Sequence, residues 1–168
     1  RTNTGDANIY GLESLLDINL KKVLQLNSAY IFNTFLNLSI IESKYIKSDE
    51  PGVEGKEVEF VPKYNIKYGI KFGYKNFTSY FQYSYLARQF SDSSNSVESN
   101  LSGVIGQIPA YDILDLSMNY KFDKIKLETG VNNILNTSYF TRRATGYPGP
   151  GIIPSPPRNY YLTIQYKF

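Results

Sequence analysis

Cysteine and histidine are both absent from the 168 residues, and there is no tryptophan. Without cysteine and histidine the sequence has no disulfide, no thiolate nucleophile, no Ser-His-Asp triad and no cysteine- or histidine-ligated metal site. We therefore expect a protein that is not an enzyme, that uses no cofactor and that holds no catalytic metal.

Long apolar runs are also missing. No uninterrupted apolar stretch approaches the roughly 18 residues that a membrane-spanning helix needs, and the mean hydropathy is −0.33. These two features exclude a helical membrane protein. Charge is mild as well, because 18 Lys and Arg residues against 15 Asp and Glu residues give a net charge of +3. The charges are dispersed along the chain, so we expect no nucleic-acid partner.

Large apolar side chains are, by contrast, abundant. Hydrophobic residues make up 42% of the chain and aromatic residues 15%, with 16 tyrosines and 10 phenylalanines. This composition is too apolar for a disordered segment. A high share of Tyr and Phe favours β-strands, and it also suits the aromatic girdles that flank the apolar band of a membrane barrel.

Apolar and polar residues alternate with a period of two, which is the pattern of a strand with two different faces. The last segment of the chain is the clearest example, because five large apolar residues alternate there with polar ones. The predicted strands cover residues 10–20, 34–45, 64–75, 77–90, 112–122, 125–135 and 159–168.

Two stretches near the start of the chain leave alternatives open. Residues 38–41 are apolar or small at every position, so the face of each side chain is ambiguous there. Residues 23–32 fit a strand, a helix or a long turn. Leu15 interrupts the polar face of the first predicted strand.

The predicted connections alternate between very short and long. Lys75-Asn76 and Asp123-Lys124 are sufficient only for tight hairpin turns. The other connections cover residues 47–62, 91–111 and 136–158, and the last of them includes the proline- and glycine-rich stretch 147–151. Proline and glycine disfavour regular pairing, so we expect these long connections to be loops without strand structure.

Short turns at one end of a sheet and long loops at the other are typical of outer-membrane β-barrels, in which the turns face the periplasm and the loops the outside. One face of each predicted strand is a row of large apolar residues, and the other carries Lys, Asp, Gln and Asn, which suits a hydrated lumen. A soluble sandwich or lipocalin-like binder would also alternate, and a small eight-stranded barrel with a structural or adhesive role would fit the length. We therefore predict an all-β chain, an antiparallel transmembrane β-barrel segment in contact with outer-membrane lipid.

The chain ends on an aromatic residue preceded by alternating apolar residues. This ending resembles the terminal signal by which the barrel assembly machinery recognises outer-membrane barrels for insertion. The residues of this proposed barrel-insertion signal are Tyr160, Leu162, Ile164, Tyr166 and Phe168.

Several short motifs, taken in order, resemble those of the TonB-dependent receptors, in particular the branch of ferric citrate and related siderophore transporters. The motifs lie at residues 9–13, 60–64, 90–95, 108–111, 114–116, 130–135, 139–143 and 150–161. Most of them have an architectural explanation. Val61-Pro62 and Ile108-Pro109 fix an extended entry into a strand, and Asn132-Asn133 suits a left-handed backbone where a strand meets its loop.

The resemblance implies a barrel of about 22 strands closed by an N-terminal plug. At about ten residues per strand, 168 residues hold about seven strands. Residues 1–168 would then be the C-terminal portion of the barrel domain, with the plug absent. The implied partners are the remainder of the barrel and the plug, TonB through that plug, and a ferric-siderophore ligand.

The function implied by the resemblance is import of a ferric-siderophore complex. Similar receptors carry haem, cobalamin or glycans, and these are the alternative ligands. For an anionic iron chelate, the candidate ligand-binding residues are Arg88, Arg142, Arg143 and Arg158, because guanidinium groups bind carboxylates with two parallel hydrogen bonds. The alternative is that these arginines are solvated loop charges or contact lipopolysaccharide phosphates.

Overall fold

The computed structural model describes residues 5–146 and 149–168, and these residues form an almost entirely β structure. Residues 1–4, Tyr147 and Pro148 lie outside the described part. Seven long strands build the main sheet: β1 (Asp6–Ile18), β2 (Tyr30–Lys47), β3 (Tyr64–Tyr74), β4 (Phe77–Leu86), β7 (Tyr111–Phe122), β8 (Ile125–Asn132) and β11 (Asn159–Tyr166). The remaining elements are a one-turn helix α1 (Leu20–Val23) and the short strands β5 (Gln89–Phe90), β6 (Gln107–Ile108), β9 (Phe140–Ala144) and β10 (Gly151–Pro154).

The seven long strands pair in the order β1-β2-β3-β4-β7-β8-β11, and every neighbouring pair is antiparallel. The predicted all-β antiparallel fold with seven strands is therefore confirmed. Within the described residues the sheet is open, since β1 and β11 each pair with a single long strand. Among these residues no helix is long and apolar enough to cross a membrane.

The register places most of the large apolar side chains of the seven strands on one face of the sheet. Directly paired residues share a face, and residues two positions apart along a strand do as well. From Leu36 the pairing runs through Tyr68, Tyr83 and Leu114, all of them apolar or aromatic. We call this side the apolar face; it carries the even-numbered residues of β1, β2, β3, β7 and β11 and the odd-numbered residues of β4 and β8.

The opposite side, the polar face, carries most of the lysine, aspartate, glutamine and asparagine side chains of the strands. Leu15 lies on it, as the pattern predicted. The register also resolves the ambiguous stretch of β2, because Leu38 and Ile40 pair with Ile66 and Tyr64 on the apolar face. Ser39 and Ile41 consequently belong to the polar face.

Short connections lie at one end of the sheet, which we call the turn end. Lys75 and Asp123 have φ angles of 52° and 49°, and a positive φ at the first central residue is a feature of the mirror-image turns of two-residue hairpins. The open alternative for residues 23–32 is resolved as a mixture. Asn19 caps helix α1 by accepting a hydrogen bond from the Lys22 N–H at 3.0 Å, a turn follows, and β2 begins at Tyr30.

Three long connections lie at the other end, the loop end: loop A (residues 48–63), loop B (87–110) and loop C (133–158). The expectation that these loops lack strand structure was wrong for B and C, since β5 pairs with β6 and β9 pairs with β10. The prolines and glycines of these loops do not prevent such pairing, because each of the two pairings is only a few residues long. In β10, moreover, the register shifts between Ile152 and Pro154, which places the proline at the end of the pairing, where a missing N–H is tolerated.

Several predicted strand bounds differ from the structure. The strand predicted at 77–90 breaks after Leu86, so Arg88 leaves the sheet and lies in loop B. The strand predicted at 125–135 ends at Asn132. β2 is longer than predicted, and β1 ends at Ile18, before the helix that contains Leu20.

Candidate functional site

Two belts of aromatic residues border the apolar face. The belt near the loop end contains Tyr10, Tyr64, Tyr85 and Tyr160, and the belt near the turn end contains Tyr30, Phe32, Phe72, Tyr74, Phe77, Tyr120, Phe122 and Tyr166. Between the belts lie mainly Leu, Ile and Met side chains, together with the aromatic rings of Tyr68, Phe81 and Tyr83. On β3, Tyr64 and Tyr74 are ten residues apart, which is about 33 Å along a strand and about 25 Å for a strand tilted by about 40°. That height matches the hydrocarbon band of an outer-membrane barrel.

Side chains on the polar face lie flat against the sheet where they pair with glycine. A Cβ added to Gly69 would lie 2.2 Å from the ring of its paired residue Phe35, and one added to Gly130 would lie 2.7 Å from the ring of its paired residue Tyr161. The Phe35 ring also stacks on Tyr80 at 6.3 Å. Because glycine has no side chain, the ring of the paired residue can lie over the backbone of the sheet and need not project away from it.

A shallow cavity of about 590 Å³ lies on the polar face of β1, β2 and β3. Glu13, Asn37, Ser39 and Asn65 contribute its polar lining. Glu13 is the one charged residue among its lining residues. This cavity offers hydrogen-bonding groups on the side of the wall opposite the apolar face.

The loop end contains the buried apolar side chains of the described residues. These residues are Tyr45, Val53, Ala87, Phe90, Ile108 and Ile113, and Ile108 is only 1% exposed. They come from loops A and B and from the adjoining ends of β2 and β7. The three loops therefore form a packed cap with its own small core.

Loops A and B are joined by a side-chain amide that mimics a paired backbone. Asn95 accepts a hydrogen bond from the Glu57 N–H at 2.7 Å and donates one to the Glu57 carbonyl at 2.8 Å. The Phe60 N–H donates to the Phe90 carbonyl at 2.9 Å. Residues of the motifs at 60–64 and 90–95 thus hold loop A against loop B.

Two ionisable contacts fix the end of β2 to loop A. The Tyr45 hydroxyl donates to the Glu59 carboxylate, and burial, followed by that hydrogen bond, raises the pKa of Tyr45 to about 12. Lys63 forms an ion pair with Glu42. Their hydrogen bond lowers the pKa of Glu42 and raises the pKa of Lys63. Both residues of this pair are exposed, so its contribution to stability is small.

Arg143 links loop C to loop B. Its Nη1 donates to Ser99 Oγ at 2.6 Å and to the Gly103 carbonyl at 2.8 Å, and its Nη2 donates to the Gln107 carbonyl at 2.8 Å. The guanidinium also lies 5.2 Å from the centre of the Phe140 ring. All three acceptors are neutral, so the positive charge of Arg143 is not cancelled by these contacts.

The other three candidate arginines occupy different environments at the loop end. Arg88 forms a two-pronged ion pair with Glu57, with contacts of 3.0 and 3.3 Å, and lies 4.7 Å from the centre of the Phe90 ring. Arg142 lies on β9, exposed, one position before Arg143 and so on the opposite side of that strand. Arg158 is exposed at the end of loop C. The side chains of Arg142 and Arg158 contact no carboxylate within residues 5–146 and 149–168.

Asn133 follows β8 directly and has the left-handed backbone conformation that the Asn132-Asn133 pair predicted, with φ 54°. Its side chain is 3% exposed, accepts from the Thr137 N–H at 2.9 Å and donates to the Thr137 carbonyl at 2.9 Å. The Asn133 N–H donates to Asp115 Oδ1 at 2.8 Å. Sequence reasoning identified the backbone role of this residue but missed the role of Asp115, which an aspartate within a strand could have indicated.

The five residues of the predicted barrel-insertion signal are all exposed. Tyr160, Leu162, Ile164 and Tyr166 lie on the apolar face of β11, 54–71% exposed. Phe168 follows β11 and packs edge-on against Tyr166, with ring centres 5.2 Å apart. Their role in insertion stays a prediction.

The described residues contain no group of three or more His, Cys, Asp or Glu side chains able to hold a metal ion. The chain's polar and charged groups are instead arranged along the wall and in the loop cap.

A protein-family profile described as "TonB dependent receptor-like, beta-barrel" matches residues 1–134. The match covers most of the chain, and the chain therefore belongs to this family of β-barrel domains. No curated protein sequence matches the chain.

Solved structures agree with the fold. The ferric citrate transporter FecA in its unliganded form is 23% identical, with a TM-score of 0.83 over 96% of this chain and 24% of that chain. The ferric yersiniabactin uptake receptor FyuA from Yersinia pestis is 16% identical, with a TM-score of 0.74 over 99% of this chain and 24% of that chain. The copper transporter OprC is 19% identical, with a TM-score of 0.68 over 99% of this chain and 24% of that chain.

The chain thus spans about a quarter of the length of these three solved proteins. At these identities the comparison shows the fold and not the ligand. All three neighbours are named as transporters or receptors, and none as an enzyme.

Proposed function

We propose that this chain forms part of the wall and loop cap of an outer-membrane TonB-dependent transporter that imports a ferric-siderophore complex of the iron citrate type. The observation that carries the proposal is the continuous apolar face between two aromatic belts, on a chain of this family. In lipid every backbone N–H and C=O needs a partner inside the sheet. The edge strands β1 and β11 would therefore pair with the remainder of the barrel, and the plug that contacts TonB would lie against the polar face.

The charge of loop C supports an anionic ligand. Residues 133–158 contain three arginines and no aspartate or glutamate. Arg142 and Arg158 are exposed, whereas Arg143 is held by loop B and Arg88 by Glu57. We infer that Arg142 and Arg158 contact the carboxylates of the ligand, and that Arg88 and Arg143 keep the loops in place around it.

The other functions are less well supported. A small autonomous barrel with a structural or adhesive role would need β1 to pair with β11, and the described sheet is open between them. Haem, cobalamin and glycans remain alternative ligands for a wall of this kind. An acid-free, arginine-rich loop favours a polycarboxylate over cobalamin and glycans, because these two offer few anionic groups.

Growth of a strain lacking the whole gene tests the proposal. Under iron limitation the deletion strain should fail to grow on ferric citrate and grow normally on haem, and the complete gene should restore growth. Complementation with Arg142→Ala/Arg158→Ala should restore assembly in the outer membrane but not growth on ferric citrate. Normal growth of the deletion strain on ferric citrate would refute the proposed ligand, and recovery of the protein in the soluble fraction would refute the membrane location.

A further inference from the structure

A flat pair of aromatic rings lies on the polar face, midway along β2, β3 and β4. The Phe35 ring covers Gly69, and the Tyr80 ring is nearly parallel to it, with an angle of 11° between the ring planes. The Tyr80 hydroxyl donates to Gln82 Oε1 at 3.0 Å, and Gln82 is paired with Gly69. Both rings are therefore held at the level of Gly69, half-buried against the sheet.

Two lysines flank these rings along β3. Lys67 and Lys71 lie on the polar face, two residues before and two residues after Gly69, and both are exposed. Four residues of a strand span about 13 Å, so the two lysines stand on opposite sides of the ring that covers Gly69. We call Phe35, Tyr80, Lys67 and Lys71 the ring-lysine patch.

The charge of these two lysines is not balanced by a neighbouring acid. Neither ammonium group forms an ion pair with any residue that the structure describes. Asp17 and Asp115 are level with Gly69 on the polar face, but each lies two strands away from β3, at about 10 Å. The residues paired directly with the two lysines are all neutral: Asn33, Asn37, Tyr80 and Ser84.

The ring-lysine patch lies away from both free edges of the sheet. β3 is paired with β2 on one side and with β4 on the other. Closure of a barrel through β1 and β11 would therefore leave the patch in place, facing the lumen. An ammonium group that loses its water in an enclosed lumen is costly unless an anion replaces that water. Whatever fills the lumen in front of the patch should therefore carry carboxylates.

We propose that the ring-lysine patch is the docking surface for an acidic segment of the plug, with carboxylates on Lys67 and Lys71 and an apolar side chain on the rings. The inference rests on the proposed function, in which the plug lies against the polar face. In an extended segment, acids four residues apart are separated by about 13 Å, and the residue midway between them points the same way. Such a segment matches the patch in charge, spacing and polarity. A small hydrated polycarboxylate could bind the lysines but would offer no apolar surface to the rings.

Photo-crosslinking in the complete receptor, assembled in the outer membrane, identifies what covers the patch. With Tyr80→p-benzoylphenylalanine, mass spectrometry should find a cross-link to a plug peptide that contains acidic residues. The same probe at Tyr83, on the apolar face of β4, is the matched control and should give no cross-link to the plug. A cross-link from position 80 to a plug peptide without acidic residues, or no cross-link to the plug, would overturn the proposal.

Charge substitution tests the role of the lysines. Lys67→Gln/Lys71→Gln removes two ion pairs with the plug and should increase the rate of plug proteolysis about tenfold. The matched control Lys75→Gln/Lys124→Gln makes the same charge change in the exposed turns and should be cleaved at the wild-type rate. Lys67→Glu/Lys71→Glu should also loosen the plug, and lysines in place of the acids of the cross-linked peptide should restore the wild-type rate.

The outcomes separate this inference from the proposed function. Wild-type plug proteolysis in Lys67→Gln/Lys71→Gln would overturn the docking surface, and loss of ferric citrate uptake in that variant would then show a ligand subsite instead. Either result, in a receptor that is folded in the outer membrane, refutes only this inference. A receptor absent from the outer membrane, or a cross-link from position 83 to the plug, refutes the proposed function.

Discussion

At the scale of single residues, asparagine side chains replace backbone partners where the strands end. Asn95 and Asn133 both have a φ of 54°, a conformation that asparagine tolerates better than most residues. Each also binds the backbone of another loop segment through both its amide N–H and its carbonyl. Asparagine thus adopts the left-handed backbone conformation and also forms hydrogen bonds with backbone groups that would otherwise have no partner.

Replacement of Asn133 should separate these two contributions. Asn133→Ala loses both side-chain hydrogen bonds and places an alanine in the left-handed region, which alanine tolerates less well than asparagine. We therefore expect a loss of about 2 kcal/mol in the free energy of unfolding. Asn133→Gly relieves the backbone and should lose about 1 kcal/mol. The measurement is urea unfolding of the receptor in detergent, with the exposed Asn132→Ala as control, expected within about 0.5 kcal/mol of wild type. Equal losses for Ala and Gly would show that φ at this position is unimportant.

Tyr45 gives a prediction for alkaline pH. Its pKa is raised from 10.0 to about 12 in the folded protein, so the folded state favours the neutral phenol. The resulting stabilisation is complete below the unfolded pKa and is lost as the pH rises through the folded one. Tyr45→Phe should therefore lose stability less steeply than the wild type between these two values. Urea unfolding at a series of alkaline pH values measures this, and parallel curves for the two proteins would contradict it.

At the scale of elements, glycine allows an aromatic ring of the paired strand to lie over the sheet on the polar face. For Gly69 the atoms closest to an added Cβ are all in the Phe35 ring. For Gly130 the closest is the Leu116 carbonyl oxygen, at 2.5 Å, ahead of the Tyr161 ring. A side chain can move away or be removed, whereas the backbone of a paired strand cannot.

Two double mutants test this difference. Gly69→Ala should cost about 2 kcal/mol of stability, and adding Phe35→Ala should recover about half of that loss. Gly130→Ala should cost at least as much, and adding Tyr161→Ala should recover nothing. Thermal unfolding followed by the heat-modifiable migration of the barrel on gels gives the comparison. Recovery in both pairs would show that ring contact alone governs Gly130.

The loop cap depends on Arg143 for the connection between loops B and C. Arg143→Ala removes three hydrogen bonds to loop B and leaves their acceptors unpaired. We expect several-fold faster proteolysis of loop B in the assembled receptor. Arg142→Ala, at the neighbouring exposed position, should leave proteolysis unchanged and reduce ligand uptake. If both variants behave alike in proteolysis, Arg143 does not hold the loops together.

Sequence patterns predicted the strands far better than the loop cap. Most of the long strands carry the same two-residue alternation over eight or more positions, so the pattern is readable within each of these strands alone. Val53 and Ile108 are isolated apolar residues among charged residues, glycines and prolines, and nothing nearby in the sequence indicates that they become buried. Their burial depends on contacts between loops that are distant along the chain, as do the β5–β6 and β9–β10 pairings.

Arg142, Arg143 and Arg158 were named from residue type and from their position in a predicted loop, whereas Arg88 was expected within the strand predicted at 77–90. The sequence could not predict that Arg88 and Arg143 are held by other loops while Arg142 and Arg158 are exposed. These contacts depend on Glu57, Ser99 and Gln107, which lie in other loops. The register of β2 was likewise undetermined at residues 38–41. Pairing with the unambiguous strand β3 decides it.

At the scale of the whole molecule, the two faces of the sheet have different surroundings, and adjacent residues of one strand can distinguish them. Leu116 lies in the middle of the apolar face, paired with Phe81 and Val131, and Ser117 follows it on the polar face. In the proposed barrel Leu116 faces hydrocarbon and Ser117 faces water. In a soluble sheet packed through its apolar face, Leu116 would instead be in a protein core.

Lysine at each position separates these arrangements. Leu116→Lys should destabilise the receptor in lipid vesicles by about 2–4 kcal/mol, the cost of a cation near the middle of a bilayer, and Ser117→Lys should change stability by less than about 1 kcal/mol. Because the cost arises from lipid, the Leu116→Lys penalty should shrink when the same lysine is moved along the apolar face to Tyr120, in the aromatic belt, where an ammonium can reach water. Urea titration of folding into vesicles measures all three variants. A Leu116→Lys penalty that does not decrease at Tyr120 would mean that the apolar face is buried against protein and not lipid.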